Sequence, residues 1–266
     1  MGHGKLKKFA ENETFRCLLQ PDASAILDKE PGSRALKLRN HAIKGNWGRE
    51  MFGNDHPIVL ELGCGKGDYT IALALRHPEI NYIGVDIKGA RLWKGAKFAT
   101  EQALPNVAFL RTRIEFIEAF FGPGEVGEIW LTFSDPQLHG SENSRLSSPL
   151  FLERYRKFLR PDGTVHLKTD SRFLHEYTKA VCAVNSLGVL CCDADVYHSE
   201  AALPDEVRQV QTFYETMFLQ MGLPITYMAF SIEHEGPYVF PASAFDHDYW
   251  LQAEGPRRSF SHQPTK

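Results

Sequence analysis

The chain has 266 residues, of which 43% are hydrophobic and 24% charged, with a formal net charge of −3. That is the make-up of an ordinary globular protein of one large or two small domains, and it argues against a strong general affinity for nucleic acid. No apolar run approaches the roughly 20 residues of a membrane span, and MGHGKLKKFA at the start lacks the apolar core of a signal peptide.

The five cysteines are odd in number and irregularly spaced, without C-x-x-C. They read as reduced thiols in a reducing compartment, so a cytoplasmic protein with no metal and no membrane contact is expected. The charge is unevenly spread. Residues 1–50 hold ten Lys/Arg against six Asp/Glu, which leaves −7 for the other 216. This is the pattern of a basic arm on a mildly acidic body. Lys5, Lys7 and Lys8 precede Phe9 and Phe15, and Pro21, Pro31, Gly32, Gly45 and Gly48 follow. The stretch reads as irregular and mobile at its beginning, with basic and aromatic residues interleaved as an RNA backbone would use them. Trp47 and Phe52 are expected to anchor it. The expected division is an arm at 1–53, an α/β domain at 54–232 and a loose tail, rich in Pro, Gly, His and Ser, at 233–266.

From Pro57 the alternation of strand and helix is regular. Ile58–Leu62 is a short apolar run containing one carboxylate, Glu61, and it ends in Gly63-Cys64-Gly65-Lys66-Gly67. This reads as a buried parallel strand, a glycine turn and a helix start capped by Asp68. G-x-G-x-G after a strand is compatible with dinucleotide binding, whose usual fingerprint is G-x-G-x-x-G. Glu61 in the strand end, and no Lys-Ser/Thr after the glycines, favour a ligand with an ammonium and no phosphate. S-adenosylmethionine is that ligand. A tight structural turn without a ligand is the plain alternative.

A second strand, Asn81–Asp86, ends in a carboxylate 21 residues after Gly65, near the distance at which such a residue meets ribose hydroxyls. Gly89–Ala103 reads as a helix with Arg91, Lys94 and Lys97 on one face. Val107–Leu110 is a third strand, and Arg113-Ile114 opens the helix after it. Glu128–Phe133 is a fourth strand running into Ser134-Asp135-Pro136-Gln137. A carboxylate there, fixed by the following proline, points at the ligand crevice of an open sheet. Leu138–Ser148 reads as a flexible loop and Pro149–Leu159 as a helix. Pro161-Asp162-Gly163 reads as a turn before a fifth strand, Thr164–Thr169, with Asp170-Ser171 capping the helix that follows. Leu190–Tyr197, a helix over 204–221, and Ile225–Ile232 complete the pattern. The order predicts an open, doubly wound, Rossmann-like α/β sheet of seven mostly parallel strands.

Glu61-Leu-Gly-Cys-Gly, Val85-Asp86, Phe133-Ser-Asp135-Pro136, Leu167-Lys-Thr-Asp170 and Thr212-Phe-Tyr-Glu215 occur in that order. With them, residues 54 to 232 resemble the bacterial tRNA (guanine-N7-)-methyltransferases. The resemblance implies a class I methyltransferase that uses S-adenosylmethionine to methylate N7 of a guanine in the variable loop of tRNA. By position it implies Glu61, Gly63, Gly65, Asp86, Arg113, Ile114 and Asp135 at the cofactor, Asp135 as the active-site residue, and His139, Asp170, Thr212 and Glu215 at the tRNA. The chain departs from the family pattern in two places. The loop after Asp135 usually carries several basic residues, and here Arg145 is its only Lys or Arg, opposed by Glu142. Arg113 stands where an aspartate is usual after the third strand. A methyltransferase acting on a different RNA or a small molecule is the second reading, and a non-catalytic binding module the third. Monomer and homodimer are both open.

Overall fold

The computed structural model describes residues 3–29 and 36–255. The chain opens with α1 (His3–Asn12), β1 (Leu18–Leu19), an antiparallel pair of β2 (Leu27–Lys29) and β3 (Leu36–Leu38), and a π-helical turn at Trp47–Phe52. The regular part follows as β4 (Ile58–Leu62), α2 (Asp68–Arg76), β5 (Asn81–Asp86), α3 (Gly89–Glu101), β6 (Val107–Arg111), a 3-10 turn at Ile114–Ala119, β7 (Val126–Thr132), α4 (Pro149–Tyr155), β8 (Leu159–Thr169) and α5 (Arg172–Val184). It ends with β9 (Val189–Asp193), α6 (Asp205–Gln209), α7 (Phe213–Gln220), β10 (Thr226–Ser231) and α8 (His247–Glu254).

One sheet runs β1-β6-β5-β4-β7-β8-β10-β9, with β10 antiparallel to both of its neighbours. It is the expected doubly wound Rossmann-like sheet with one strand more than the seven predicted, because Leu18–Leu19 pairs parallel with Phe109–Leu110 at the β6 edge. All five residues of β4 are buried, as they must be in a parallel strand covered on both faces. Alternation along the strand sends Ile58, Leu60 and Leu62 to a core beneath α4 and α5, and Val59 to a core beneath α2, α3 and α7. Glu61 goes to this second face. The chain leaves β4 towards β5 and β6, then returns to place β7 on the other side of β4. The carboxyl ends of β4 and β7 therefore form the switch point where open α/β sheets bind ligands.

Several local expectations change. The described part of residues 1–50 is ordered around contacts that charge counting does not reveal. Phe9 lies under the Arg111 guanidinium, Asn12 donates to Gly89 O at 2.9 Å, and Lys8 lies over Trp93, so α1 packs on α3. Trp47 is fully buried, stacked on Phe121, and donates to Phe120 O; truncating such a side chain costs about 3–5 kcal/mol. Gly67, not Asp68, occupies the N-cap of α2, and Asp68 at the first helical position pairs with Lys94 at 2.9 Å. The turn expected at 161–163 is an irregularity inside β8, where the partner of β7 jumps from Leu159 to Thr164. The helix expected over 204–221 breaks at 210–212 into α6 and α7.

Beyond residue 232, Tyr238 is buried and Asn185 holds Val239 through both its backbone N–H and C=O. α8 then packs against α5; the rest of the expected tail, 256–266, lies outside the described residues. No described helix is long and apolar enough to cross a membrane, and all five cysteines are free thiols.

Candidate active site

A cleft of 820 Å³ opens at the switch point, and a second of 640 Å³ adjoins it, with Gly63, Ile114, Gln137, Ser144 and Leu146 common to both. Glu61, Gly63, Gly65, Ile114, Asp135, His139, Asp170 and Thr212 line the first. Asp86 and Arg113 line the second. The fold thus brings ten of the eleven residues singled out in the sequence to one connected space. Glu215 stands outside it.

The floor is the β4 end. Gly63 and Gly65 have φ of 80° and 59°, a region that glycine enters without strain. A Cβ at either would meet nothing within 4 Å, so the loop presents bare backbone to the cleft. The Gly65 N–H donates to Asp86 Oδ2 at 3.0 Å, and Lys88 N–H donates to Asp86 Oδ1 at 2.7 Å. Asp86 thereby ties the glycine loop to the end of β5, and each oxygen keeps a lone pair for a hydroxyl.

Glu61 is almost wholly enclosed. Its carboxylate accepts the Thr70 N–H at 2.8 Å, the Thr70 hydroxyl, and the Thr132 hydroxyl. Burial pushes its pKa up to about 7 despite these three donors, which pull the other way. A carboxyl desolvated to this degree is restored to its ionised form by a neighbouring cation. Thr70 and Thr132 were not singled out in the sequence. A threonine at the end of β7, and another in the first turn of α2, carry no signal until the sheet order puts both beside Glu61.

Asp135 is exposed on the rim. Its Oδ1 accepts the Gln137 N–H at 2.9 Å, and Phe133 and Gln137 on either side hold φ of 49° and 51°. Non-glycine residues in this region persist only where their surroundings hold them. Ser134 Oγ, in the cleft wall, is buried without a hydrogen-bond partner. Asp170 follows β8 into the cleft; the cap of α5 is Ser171, whose hydroxyl accepts the Leu174 N–H. Arg113 is mostly exposed and paired with Glu115 at 3.0 Å, and with Ile114 it lines the second cleft.

The T-x-x-E element is a capping box. Thr212 Oγ1 accepts the Glu215 N–H at 3.2 Å, and Glu215 accepts the Thr212 N–H at 3.3 Å. Glu215 is fully buried and also holds Lys168 Nζ at 2.7 Å and the Tyr197 hydroxyl at 2.6 Å. This corrects the sequence expectation that Glu215 faces the acceptor: its carboxylate is spent inside the protein, and it places Thr212 at the cleft instead. Lys168, equally buried, adds a bond to Val210 O at 2.9 Å; desolvation lowers its pKa while Glu215 opposes that shift. Its position inside an apolar strand was the available signal, since a buried lysine needs an anionic partner. Among the described residues no group of three His, Cys, Asp or Glu is placed to hold a metal ion.

Removing one partner of such a pair leaves the other charge buried. Glu215→Ala is expected to destabilise the fold by about 3–5 kcal/mol in urea unfolding, and Glu215→Gln, which keeps the cap, by less; an unchanged midpoint for Glu215→Ala would show that Lys168 does not depend on it.

The residues present fit S-adenosylmethionine: a desolvated carboxylate for the ammonium, bare glycine backbone, and Asp86 beside the second cleft for a ribose. A methyltransferase family described as "Putative methyltransferase" matches residues 55–228. A tRNA (guanine-N(7)-)-methyltransferase of Bacteroides thetaiotaomicron is 46% identical over 97% of this chain and 98% of its own length. The protein of that name from Christiangramia forsetii is 47% identical over 86% and 98%, and that of Porphyromonas gingivalis 42% over 93% and 98%. Among solved structures, the 16S rRNA methyltransferase KamB superposes with a TM-score of 0.54 at 17% identity, covering 74% of this chain and 96% of its own. A 30S ribosomal A1408 methyltransferase from an uncultured bacterium gives 0.51 at 12%, covering 75% and 97%; both share the fold. The chain therefore belongs to this methyltransferase family, the one whose close relatives carry the name tRNA (guanine-N(7)-)-methyltransferase.

Proposed function

We propose that the protein transfers a methyl group from S-adenosylmethionine to N7 of a guanine in tRNA, and that the guanine lies in the variable loop. The observation that supports this reading best is the convergence of Glu61 and the glycine loop with Asp135, Asp170 and Thr212 on one cleft, in a chain nearly half identical to enzymes of that name. When bound, S-adenosylmethionine supplies an electrophilic methyl group on a sulfonium. Guanine N7 is a hydrogen-bond acceptor with a free lone pair, so its attack requires no general base. The residues bind and orient. Glu61 takes the ammonium, Asp86 the ribose hydroxyls, and the backbone at Arg113-Ile114 the adenine edge. Asp135 and Asp170 accept from the guanine N1–H and 2-amino group, and their charge offsets the positive charge that develops on the ring. Alignment of this kind can supply several kcal/mol, up to about 7–11.

The test is transfer of labelled methyl to an unmodified tRNA transcript. Label is expected in the transcript, lost when 7-deazaguanine replaces the target, and reduced at least about 100-fold in kcat by Asp135→Ala. Equal labelling of a transcript with adenine at the target would favour the second reading, a different RNA or small-molecule acceptor. That reading draws on the loop after Asp135, whose single Lys/Arg, Arg145, is 2% exposed.

Glu61 gives the reaction a pH dependence. Only its ionised form pairs with an ammonium, so cofactor affinity rises with pH through about 7. Between about pH 6 and pH 7 the gain is roughly fivefold, and from about pH 8 loss of the ammonium proton opposes it. Calorimetric titration checks this, and Glu61→Gln should bind weakly with a flat profile; a flat profile in the unaltered protein would separate Glu61 from the ammonium.

With the Asp135 loop stripped of free positive charge, phosphate contacts fall to the α1–α3 ridge. There Lys8 and Lys97 flank Trp93, Lys7 is exposed, and Arg91 reaches the cleft. In this reading residues 1–53 are the RNA-docking arm of a cytoplasmic enzyme whose catalytic domain is 54–232. Replacing Lys7 and Lys8 together by Ala is expected to raise KM for tRNA severalfold with kcat unchanged, and to lower the slope of log KM against log salt by about 1–2. An unaltered slope would move the RNA elsewhere.

A further inference from the structure

Arg145 is the one Lys or Arg between Pro136 and Ser148, and by charge alone it is the group in that loop suited to an RNA phosphate. The fold buries it. Its Nε donates to Pro136 O at 3.1 Å and its Nη2 to Gln137 O at 3.3 Å. Its guanidinium lies 4.8 Å from the Phe173 ring centre and 4.6 Å from that of Tyr177. The two carbonyls belong to the residues directly after Asp135, and Gln137 is one of the two positions there with positive φ. A planar guanidinium can hold two carbonyls at once while stacked on aromatic faces, which an ammonium cannot.

The aromatic faces are themselves held from the C-terminal segment. Phe245 meets Phe173 edge-on at 5.1 Å and Tyr177 at 5.4 Å, and His247 meets Phe173 at 5.3 Å. Glu254, at the end of α8, accepts the Phe173 N–H at 2.9 Å and the Ser171 hydroxyl. Ser171 caps α5 and follows Asp170 directly. A continuous set of contacts therefore runs from α8 and Phe245, through the first turns of α5, to Arg145 and the Asp135 loop, and its near end also abuts Asp170.

We propose that Arg145 is a positioning residue, holding the Asp135 loop in its strained conformation, and that the 245–254 segment braces it through Phe173 and Tyr177. The proposal rests on the reading of Asp135 as the active-site residue. It replaces the phosphate contact that the loop's sequence suggests. It also gives the C-terminal segment a share in catalysis although that segment lines neither cleft.

The experiment uses the full chain, labelled cofactor and tRNA transcript at several salt concentrations. Arg145→Ala is expected to lower kcat at least about tenfold, since small misplacements near reacting atoms have large effects on rate. Cofactor affinity should stay within about twofold and the salt slope of KM should not change, because no phosphate contact is lost. Arg145→Lys, which keeps the charge without the fork, should not restore kcat. Phe245→Ala should reproduce part of the loss, and the double variant should fall short of the product of the single effects. A salt slope lowered by about one with kcat intact would make Arg145 a phosphate contact and overturn the proposal, as would full kcat in both Arg145→Lys and Phe245→Ala. Those two variants carry the test if Arg145→Ala does not fold. Asp135→Ala separates the two levels. If it keeps its activity, the reading of the site fails. If it is inactive while the Arg145 and Phe245 variants run at full rate, only the positioning role fails.

Discussion

A carboxylate enclosed between two strands governs this molecule. Glu61 sits at the carboxyl end of β4 with Thr70 of α2 and Thr132 of β7 closed around it. Residues of all three elements line the first cleft, so the bonds that hold Glu61 also join its walls. The donors do not fully offset desolvation, and the pKa of the group stays raised, to about 7. In the proposed reading this is a demand for positive charge that the ammonium of S-adenosylmethionine satisfies and a pyrophosphate does not.

The other acids around the cleft are each fixed by a different device, and the device decides the role. Asp86 is pinned by two backbone N–H groups and so holds the glycine loop while facing the second cleft. Among the described residues Asp135 bonds the local Gln137 N–H, and it stays exposed on the rim. Glu215 is neutralised by Lys168 with no exposure at all, and it serves the site by fixing the turn that carries Thr212. Residue type alone does not separate these cases, because burial and the identity of the donor make the difference.

Charge is distributed by the same logic. Residues 137–148 hold one cation, and it faces inward onto two carbonyls and two rings. Lysines are found instead on α1 and α3, where the ammonium groups of Lys8 and Lys97 lie over the Trp93 ring at 4.5 and 5.1 Å.

Apolar runs of strand length, each closed by Gly, Pro or Asp, were enough to read the parallel strands β4 to β8 of the doubly wound sheet, because a parallel strand buried on both faces is predominantly apolar. The glycine turn and the strand-terminal acids Glu61, Asp86, Asp135 and Asp170 were legible for the same reason, since polar groups at the ends of such strands have few other uses. What only the tertiary structure decided is where charges and small hydroxyls find partners. α1 looked irregular because its contacts, through Phe9, Asn12 and the Lys8 ammonium, lie with residues about 80 to 100 positions away. Glu215 and Arg145 carry the residue types of a substrate contact and a phosphate contact, and both are turned inward. A sequence records that a charge is present; whether it faces water, a ligand or another charge depends on which elements the fold lays across it.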